Sequence, residues 1–264
     1  MHKKGVLDWQ QQLEPIMRAA GDIILSYVPT AQQLTRMPKS GNSFATQADI
    51  ASEEFLKKEL HALLPEASIL AEESGSSGTA VLQWVIDPLD GTTNFAQGLS
   101  YFCISVALTE NNIPIVAAIY QPILNEFFYA EHGKGAWLNG QQINVSTPHV
   151  FDDAIVAISL PYLRKQRGPL VDALGSIAKK ARAVRHFGAA ALDLAYVACG
   201  RLDGLFLTYL AWWDVAAGIL LIQEAGGQVT DITGKNVTPN YTSCIAGAPV
   251  VYQGLIKELK MAGF

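Results

Sequence analysis

The chain has 264 residues, half of them hydrophobic and 16% charged, with a net charge of −5. That composition supports a substantial buried core in one large domain or two closely packed halves. It argues against nucleic acid as a partner, because phosphate backbones are bound by clustered Lys and Arg and no basic block is present. No apolar run reaches the ~20 residues of a membrane helix, and Met1–Trp9 lacks the apolar stretch of a signal peptide. A cytoplasmic protein without a membrane partner is expected. Cys103, Cys199 and Cys244 are odd in number and widely separated, which suits reduced core thiols better than disulfides or a zinc site.

In chain order, Trp9, Leu13, Ile16, Ala20, Ile23, Ile24 and Tyr27 recur at helical spacing and predict a helix over residues 8–27. Residues 30–44 are polar, with Pro38 and Gly41, and read as an exposed loop. A second helix is expected over 47–64, stopped by Pro65, followed by a strand over 67–71 and a flexible Ser/Gly loop over 74–79. Residues 81–86 read as a strand buried on both sides, ending at Asp87. Hairpin strands follow at 102–109, 113–121, 126–131 and 136–138, with turns at Asn111-Asn112 and Asn139-Gly140.

The second half alternates strands (154–159, 183–187, 203–207, 228–231, 243–246) with helices (169–180, 189–199, 214–225, 250–261). This alternation predicts a layered α+β / α/β architecture. The division is expected near 146–153, giving an N-terminal half over residues 1–148 and a C-terminal half over residues 149–264. No internal repeat is evident.

The most informative stretch is Trp84-Val-Ile-Asp-Pro-Leu-Asp-Gly-Thr-Thr-Asn-Phe95. Asp87 and Asp90 flank a turn that Pro88 stiffens, so both carboxylates can enter one small space beyond a strand. Hard cations such as Mg2+ take oxygen ligands of this kind, and the Leu89 carbonyl adds a neutral one. Gly91 permits close backbone approach. Thr92 and Thr93 open a short helix whose free N–H groups suit phosphate. An isolated Asp in a turn is ordinarily only a cap, but cation ligands beside anion donors point to a metal-dependent phosphatase. Glu72-Glu73 follows another strand, and Asp49 and Asp214 each stand near a helix start, where capping is the plain alternative.

Three segments in this order, Ala71-Glu-Glu-Ser74, Trp84–Phe95, and Trp213-Asp-Val-Ala-Ala-Gly218 running into Glu224-Ala-Gly-Gly227, resemble the inositol monophosphatase family of lithium-sensitive, Mg-dependent sugar phosphatases. Thr93-Asn94-Phe95 places the resemblance with the inositol-phosphatase branch rather than its nucleotide-phosphatase relatives. The resemblance implies an alternating αβαβα sandwich of the inositol monophosphatase / fructose-1,6-bisphosphatase type. It implies two to three Mg2+ ions, with Glu72, Asp87, Leu89, Asp90 and Asp214 as ligands and Glu73 in support. It further implies that Thr92, backed by Asp49, positions and deprotonates the attacking water with Glu72, while the Gly91 and Thr92 N–H groups hold phosphate. Lys39 is expected to approach the third metal position. Homodimerisation is also implied.

Asp90, Asp214, Gly188, Ala189, Ala190 and Leu207 would face the substrate. Here the chain departs from the family. Leu207 stands where the family usually has a Glu that contacts an inositol hydroxyl. Gly188-Ala189-Ala190 lacks the usual hydroxyl, and Ala96-Gln97-Gly98 lacks a basic residue. The implied activity is hydrolysis of inositol 1-phosphate or another small sugar or polyol phosphate. Fructose-1,6-bisphosphatase and a non-catalytic binding or regulatory role are the alternatives. No histidine (His2, His61, His132, His149, His186) matches a family motif, and surface or core positions are expected for all five.

Overall fold

The computed structural model describes residues 8–39, 43–159, 168–241 and 243–263, so His2 lies outside the described residues. The first helix, α1 (Trp9–Tyr27), buries Leu13, Met17, Ala20 and Ile24 along one stripe, and Asp8 caps it by accepting the Gln11 N–H at 3.2 Å. The second, α2 (Gln47–Leu63), opens on a reciprocal capping box. The Thr46 hydroxyl accepts the Ala48 N–H, and the Asp49 carboxylate accepts the Thr46 N–H at 2.7 Å. Between the helices, where the sequence reads as loop, residues Val28–Gln33 form a 3-10 helix and β1 (Met37–Pro38) pairs with β2 (Phe44–Ala45). The helix buries only Ala31 and the strand pair only Ala45, too few apolar positions for periodicity to carry a trace of either.

The larger sheet contains β3 (Ser68–Ala71), β4 (Gly75–Ser77), β5 (Leu82–Asp90), β6 (Cys103–Glu110), β7 (Ile113–Gln121), β8 (Glu126–Glu131), β9 (Ala136–Leu138) and β10 (Gln141–Ile143). Their order is β10-β9-β8-β7-β6-β5-β3-β4, antiparallel except for the parallel pair β3–β5. Asn111, Asn112, Asn139 and Gly140 all have positive φ, as tight hairpin turns require. The flexible loop expected over 74–79 instead supplies the short edge strand β4. The central strand β5 also corrects the reading that it ends at Asp87: it continues to Asp90, with its register against β6 shifting between these two residues. Residues three apart on a regular strand face opposite ways. The irregularity lets Asp87 and Asp90 turn toward the same space.

After the short helix α3 (Thr92–Gln97) and the hairpins, the second half contributes β11 (Ile155–Ile158), α4 (Gly168–Ala178), β12 (Ala183–Arg185), α5 (Ala190–Ala198), β13 (Gly204–Thr208), α6 (Trp212–Glu224), β14 (Gln228–Thr230), β15 (Ser243–Gly247) and α7 (Pro249–Met261). The sheet order is β12-β11-β13-β15-β14, with β11 parallel to both neighbours and the remaining pairs antiparallel.

Three apolar clusters define the layers. One joins α1 and α2 to the outer face of the large sheet through Trp84, Ile86, Ile104 and Val106. The middle one packs α5 and α6 between the two sheets, drawing Val85 and Ala107 from one and Leu205 and Leu207 from the other. The third seats α4 and α7 on the far face of the small sheet, around Phe206 and Ile245. The result is the αβαβα stack implied by the resemblance. Helices α5 and α6 touch closely because Gly218 has no side chain: a Cβ there would lie 2.4 Å from the Leu194 Cβ. The N-termini of these two helices meet the end of β5, and that meeting creates the site.

Candidate active site

Asp87, Asp90 and Asp214 converge so that one carboxylate oxygen from each lies within 4.8 Å of the others. Two come from the distorted end of β5 and the third from the first turn of α6. Asp214 is the third residue of its helix rather than the N-cap, and it accepts the Ala211 N–H at 2.6 Å. Asp90 accepts the Ala191 N–H at 2.7 Å in the first turn of α5, a helix with no side-chain cap of its own. Asp87 accepts the Leu89 N–H at 3.0 Å, which shapes the Pro88 turn. Ser52 donates to the Pro88 carbonyl at 2.9 Å and fixes that turn to α2.

Burial dominates the electrostatics. It pushes the Asp90 carboxyl up to about 7 against the opposing backbone N–H groups of Ala191 and Ala190, with Glu72 adding repulsion. Asp87 and Asp214 rise well above the usual carboxylate range for the same reason, compounded by the charges of Glu72 and Asp90. The buried thiol of Cys103 lies 3.7 Å from Asp90 and is itself driven up by burial and by Asp90. A compact set of oxygen donors that repel one another when charged suits a hard divalent cation, and Mg2+ fits that donor set.

Glu72 and Glu73 stand beside this cluster, and Lys39 hydrogen-bonds to both, at 2.8 Å to Glu72. Burial opposes the lysine's charge, but the two glutamates outweigh it and raise its pKa. Burial and the charge of Glu72 push Glu73 up to about 7 despite Lys39. The Glu73 N–H donates to the buried Glu53 carboxylate at 2.7 Å, which ties this turn to α2.

The Thr92 hydroxyl lies 2.8 Å from Asp49 Oδ1 and 3.0 Å from the Leu89 carbonyl. Asp49 is fully buried and held by Thr46 through both its N–H and its hydroxyl. Its capping role and its contact with Thr92 therefore coexist. Burial raises the Asp49 carboxyl, and the Thr46 and Thr92 hydrogen bonds work against that rise. Gly91 has φ +90, and a Cβ on it would lie 3.0 Å from the Tyr101 carbonyl and 3.1 Å from the Ala189 methyl. That crowding brings Gly188-Ala189-Ala190 against the β5 loop. Asn94 completes the join by donating to the carbonyls of Tyr101 and Phe187, both at 2.8 Å.

Of the residues expected to face substrate, Gly188 is exposed and Ala190 partly so, while Ala189 is buried against Gly91. Leu207 is corrected: it is fully buried in the middle apolar layer, because alternation along β13 turns it toward α5 and α6. His61, His132, His149 and His186 are all exposed. One polar pair escaped sequence reasoning. Tyr101 donates to the buried Asp193 at 2.7 Å while its ring stacks on Phe187 at 4.7 Å. The only sequence signal was a lone acidic residue inside an apolar helix.

The family profile described as "Inositol monophosphatase family" matches residues 8–262. The "Nus factor SuhB" of Escherichia coli K12 is 39% identical over 246 residues, covering 92% of this chain and 92% of that protein. An "Inositol-1-monophosphatase" of Mesorhizobium japonicum is 37% identical, covering 87% of each. The crystal structure of the extragenic suppressor protein SuhB from Bartonella henselae superposes with a TM-score of 0.93 at 35% identity, covering 98% of this chain and 100% of that one. An IMPase of Thermotoga maritima gives 0.88 at 29%, covering 97% and 98%. On its sequence match, its layered fold and its converging carboxylates, the chain belongs to the inositol monophosphatase family.

Proposed function

We propose that this protein is a Mg-dependent phosphomonoesterase, with inositol 1-phosphate as the substrate that its family resemblance favours. The observation that carries the reading is the convergence of Asp87, Asp90 and Asp214 beside the Thr92–Asp49 hydrogen bond. Asp87, Asp90, Asp214, Glu72 and the Leu89 carbonyl would hold the metal ions, and Glu73 would support them. Bound magnesium supplies charge neutralisation and a more acidic water for phosphoryl transfer.

The chain's own groups do the rest. Asp49 accepts the Thr92 proton, which leaves the Thr92 oxygen free to accept from an attacking water. Glu72 receives the water's proton, and the alkoxide released as the ester P–O bond breaks is protonated by a solvent water. The N–H groups of Gly91 and Thr92 hold phosphate oxygens. The buried β5 loop keeps competing water away from the carboxylates. A cytoplasmic homodimer, as in the family resemblance, completes the proposal; among the described residues no helix is long and apolar enough to cross a membrane.

A second reading draws on the relatives named Nus factor. A chain of this fold would then serve as a binding or regulatory component with protein or nucleic-acid partners, although the net charge of −5 disfavours direct binding to nucleic acid.

One assay separates the readings. Phosphate release is measured from inositol 1-phosphate, fructose 1,6-bisphosphate and a nucleoside 3′-phosphate, with Mg2+, with EDTA, and with Asp90→Asn. Mg-dependent release that Asp90→Asn abolishes supports the hydrolase and ranks its substrates. Metal binding without release from any substrate supports the second reading.

A further inference from the structure

The buried stripe of α2 changes character along its length. Toward the C-terminus it is apolar, with Leu56 and Leu60, but its first two turns bury the polar residues Asp49, Ser52 and Glu53. Residues three and four apart share one helix face, so all three leave α2 on the same side. A buried polar side chain destabilises the fold unless it finds a partner. Each of these finds its partner in a different piece of the site. Asp49 accepts the Thr92 hydroxyl at 2.8 Å, Ser52 donates to the Pro88 carbonyl at 2.9 Å, and Glu53 accepts the Glu73 N–H at 2.7 Å.

Glu53 differs from the other two in what it holds. β3 ends at Ala71 and β4 begins at Gly75, so Glu73 lies outside the strand ladder and Glu53 takes up its N–H. The preceding N–H, that of Glu72, donates to the Ile86 carbonyl of β5 at 3.2 Å. The backbone that carries both glutamates is therefore fixed by one N–H to the sheet and by the next to α2. Lys57, one helical turn after Glu53 and 4.0 Å from it, donates to Ser74 at 2.7 Å and extends the clasp by a residue. A turn that presents two adjacent carboxylates tends to open under their repulsion, and Lys39 offsets only one of the two charges. A backbone N–H bonded to a buried carboxylate is a strong restraint against that opening. Glu53 itself is only 3% exposed, which shields the bond from water.

We propose that Glu53 is a positioning residue of the metal site: from α2 it fixes the Glu72-Glu73 turn so that Glu72 can join Asp87 at one cation. This rests on the metal-dependent reading of the site and adds to it a residue that acts through the Glu73 backbone. Two conservative variants separate placement from charge. Glu53→Gln keeps an oxygen at the same reach and removes the charge. Glu53→Asp keeps the charge and withdraws the oxygen by one methylene. Mg2+ binding is titrated by calorimetry in wild type and both variants, beside melting temperatures in EDTA and the Mg2+ dependence of phosphate release. Glu53→Gln is expected to bind Mg2+ close to wild type. Glu53→Asp is expected to bind it at least about tenfold more weakly, the scale on which residues that orient metal ligands act. The Mg2+ concentration for half-maximal release should rise by the same factor in Glu53→Asp, with kcat at saturating Mg2+ held.

An unchanged Mg2+ affinity in Glu53→Asp overturns the assignment, and a lowered melting temperature alone would make Glu53 a purely structural residue. The reverse order, with Glu53→Gln weakened and Glu53→Asp intact, overturns it in favour of long-range charge. If wild type binds Mg2+ but releases no phosphate from any ester, the affinities still decide the assignment and the hydrolase reading fails alone. If wild type binds no Mg2+, the metal reading and this assignment fall together.

Discussion

The Asp90 carboxylate accepts the Ala191 N–H at 2.7 Å and so caps α5 from a strand a hundred residues away. One residue of the carboxylate cluster thus also holds the two halves of the fold in register. Asp90→Asn preserves this acceptor while removing a charge that burial and Glu72 make costly. The variant is expected to bind Mg2+ at least about tenfold more weakly, on the scale of losing a metal-site interaction, yet to melt no lower than wild type in EDTA. Metal titration and calorimetric melting together check both halves of the expectation.

Thr92→Ala removes the hydroxyl that lies between Asp49 and the Leu89 carbonyl. Phosphate release should fall by roughly 10²–10⁴-fold, the usual range for a lost proton-transfer group, with Mg2+ affinity nearly unchanged. Thr92→Ser should recover most of the rate. A full rate in Thr92→Ala would remove Thr92 from the mechanism.

Stability in EDTA should fall as pH rises. Asp90 is raised by burial to about 7, Glu73 by burial to about 7 and Asp193 by burial to about 8. Each binds its proton more tightly folded than unfolded, so its stabilising contribution is complete below the ordinary carboxylate pKa and is lost as pH climbs through these values. The melting temperature without metal should therefore decline between about pH 4 and pH 8. Magnesium should flatten the contribution from Asp90, while that from Asp193 persists until Asp193→Asn removes it. A melting temperature that rises with pH in EDTA would contradict this arrangement of charges.

Lys39 forms ion pairs with both Glu72 and Glu73, offsetting one of their two charges. Lys39→Met leaves these carboxylates facing each other, so it should lower the melting temperature in EDTA. It should also shift half-activation to a lower Mg2+ concentration, because no ammonium competes for Glu72. An activation curve identical to wild type would mean that Lys39 stands aside when metal binds.

Lithium inhibition follows if a monovalent cation enters one of the oxygen sites. Phosphate release should drop in excess LiCl and recover when Mg2+ is raised. Insensitivity at limiting Mg2+ would count against the lithium-sensitive branch.

Much of this protein was legible in the chain because the relevant forces are local. The stripe from Leu13 to Ile24, the Thr46–Asp49 capping box and the asparagine turns each act within a few residues, so spacing alone declares them. The Asp-Pro-Leu-Asp-Gly-Thr-Thr segment is likewise compact enough to announce two carboxylates in one loop. Other features depend on contacts between distant residues. That Asp214 joins Asp87 and Asp90, that Lys39 settles on Glu72, and that Asn94 stitches Tyr101 to Phe187 all follow from how α5 and α6 pack against the end of β5. Leu207 shows the same limit from the other side: a family position suggested a substrate contact, but pleat alternation in β13 buried it. Short-range hydrogen bonding and periodicity are written in sequence, whereas the convergence of charges is decided only when apolar layers fix which helix ends meet.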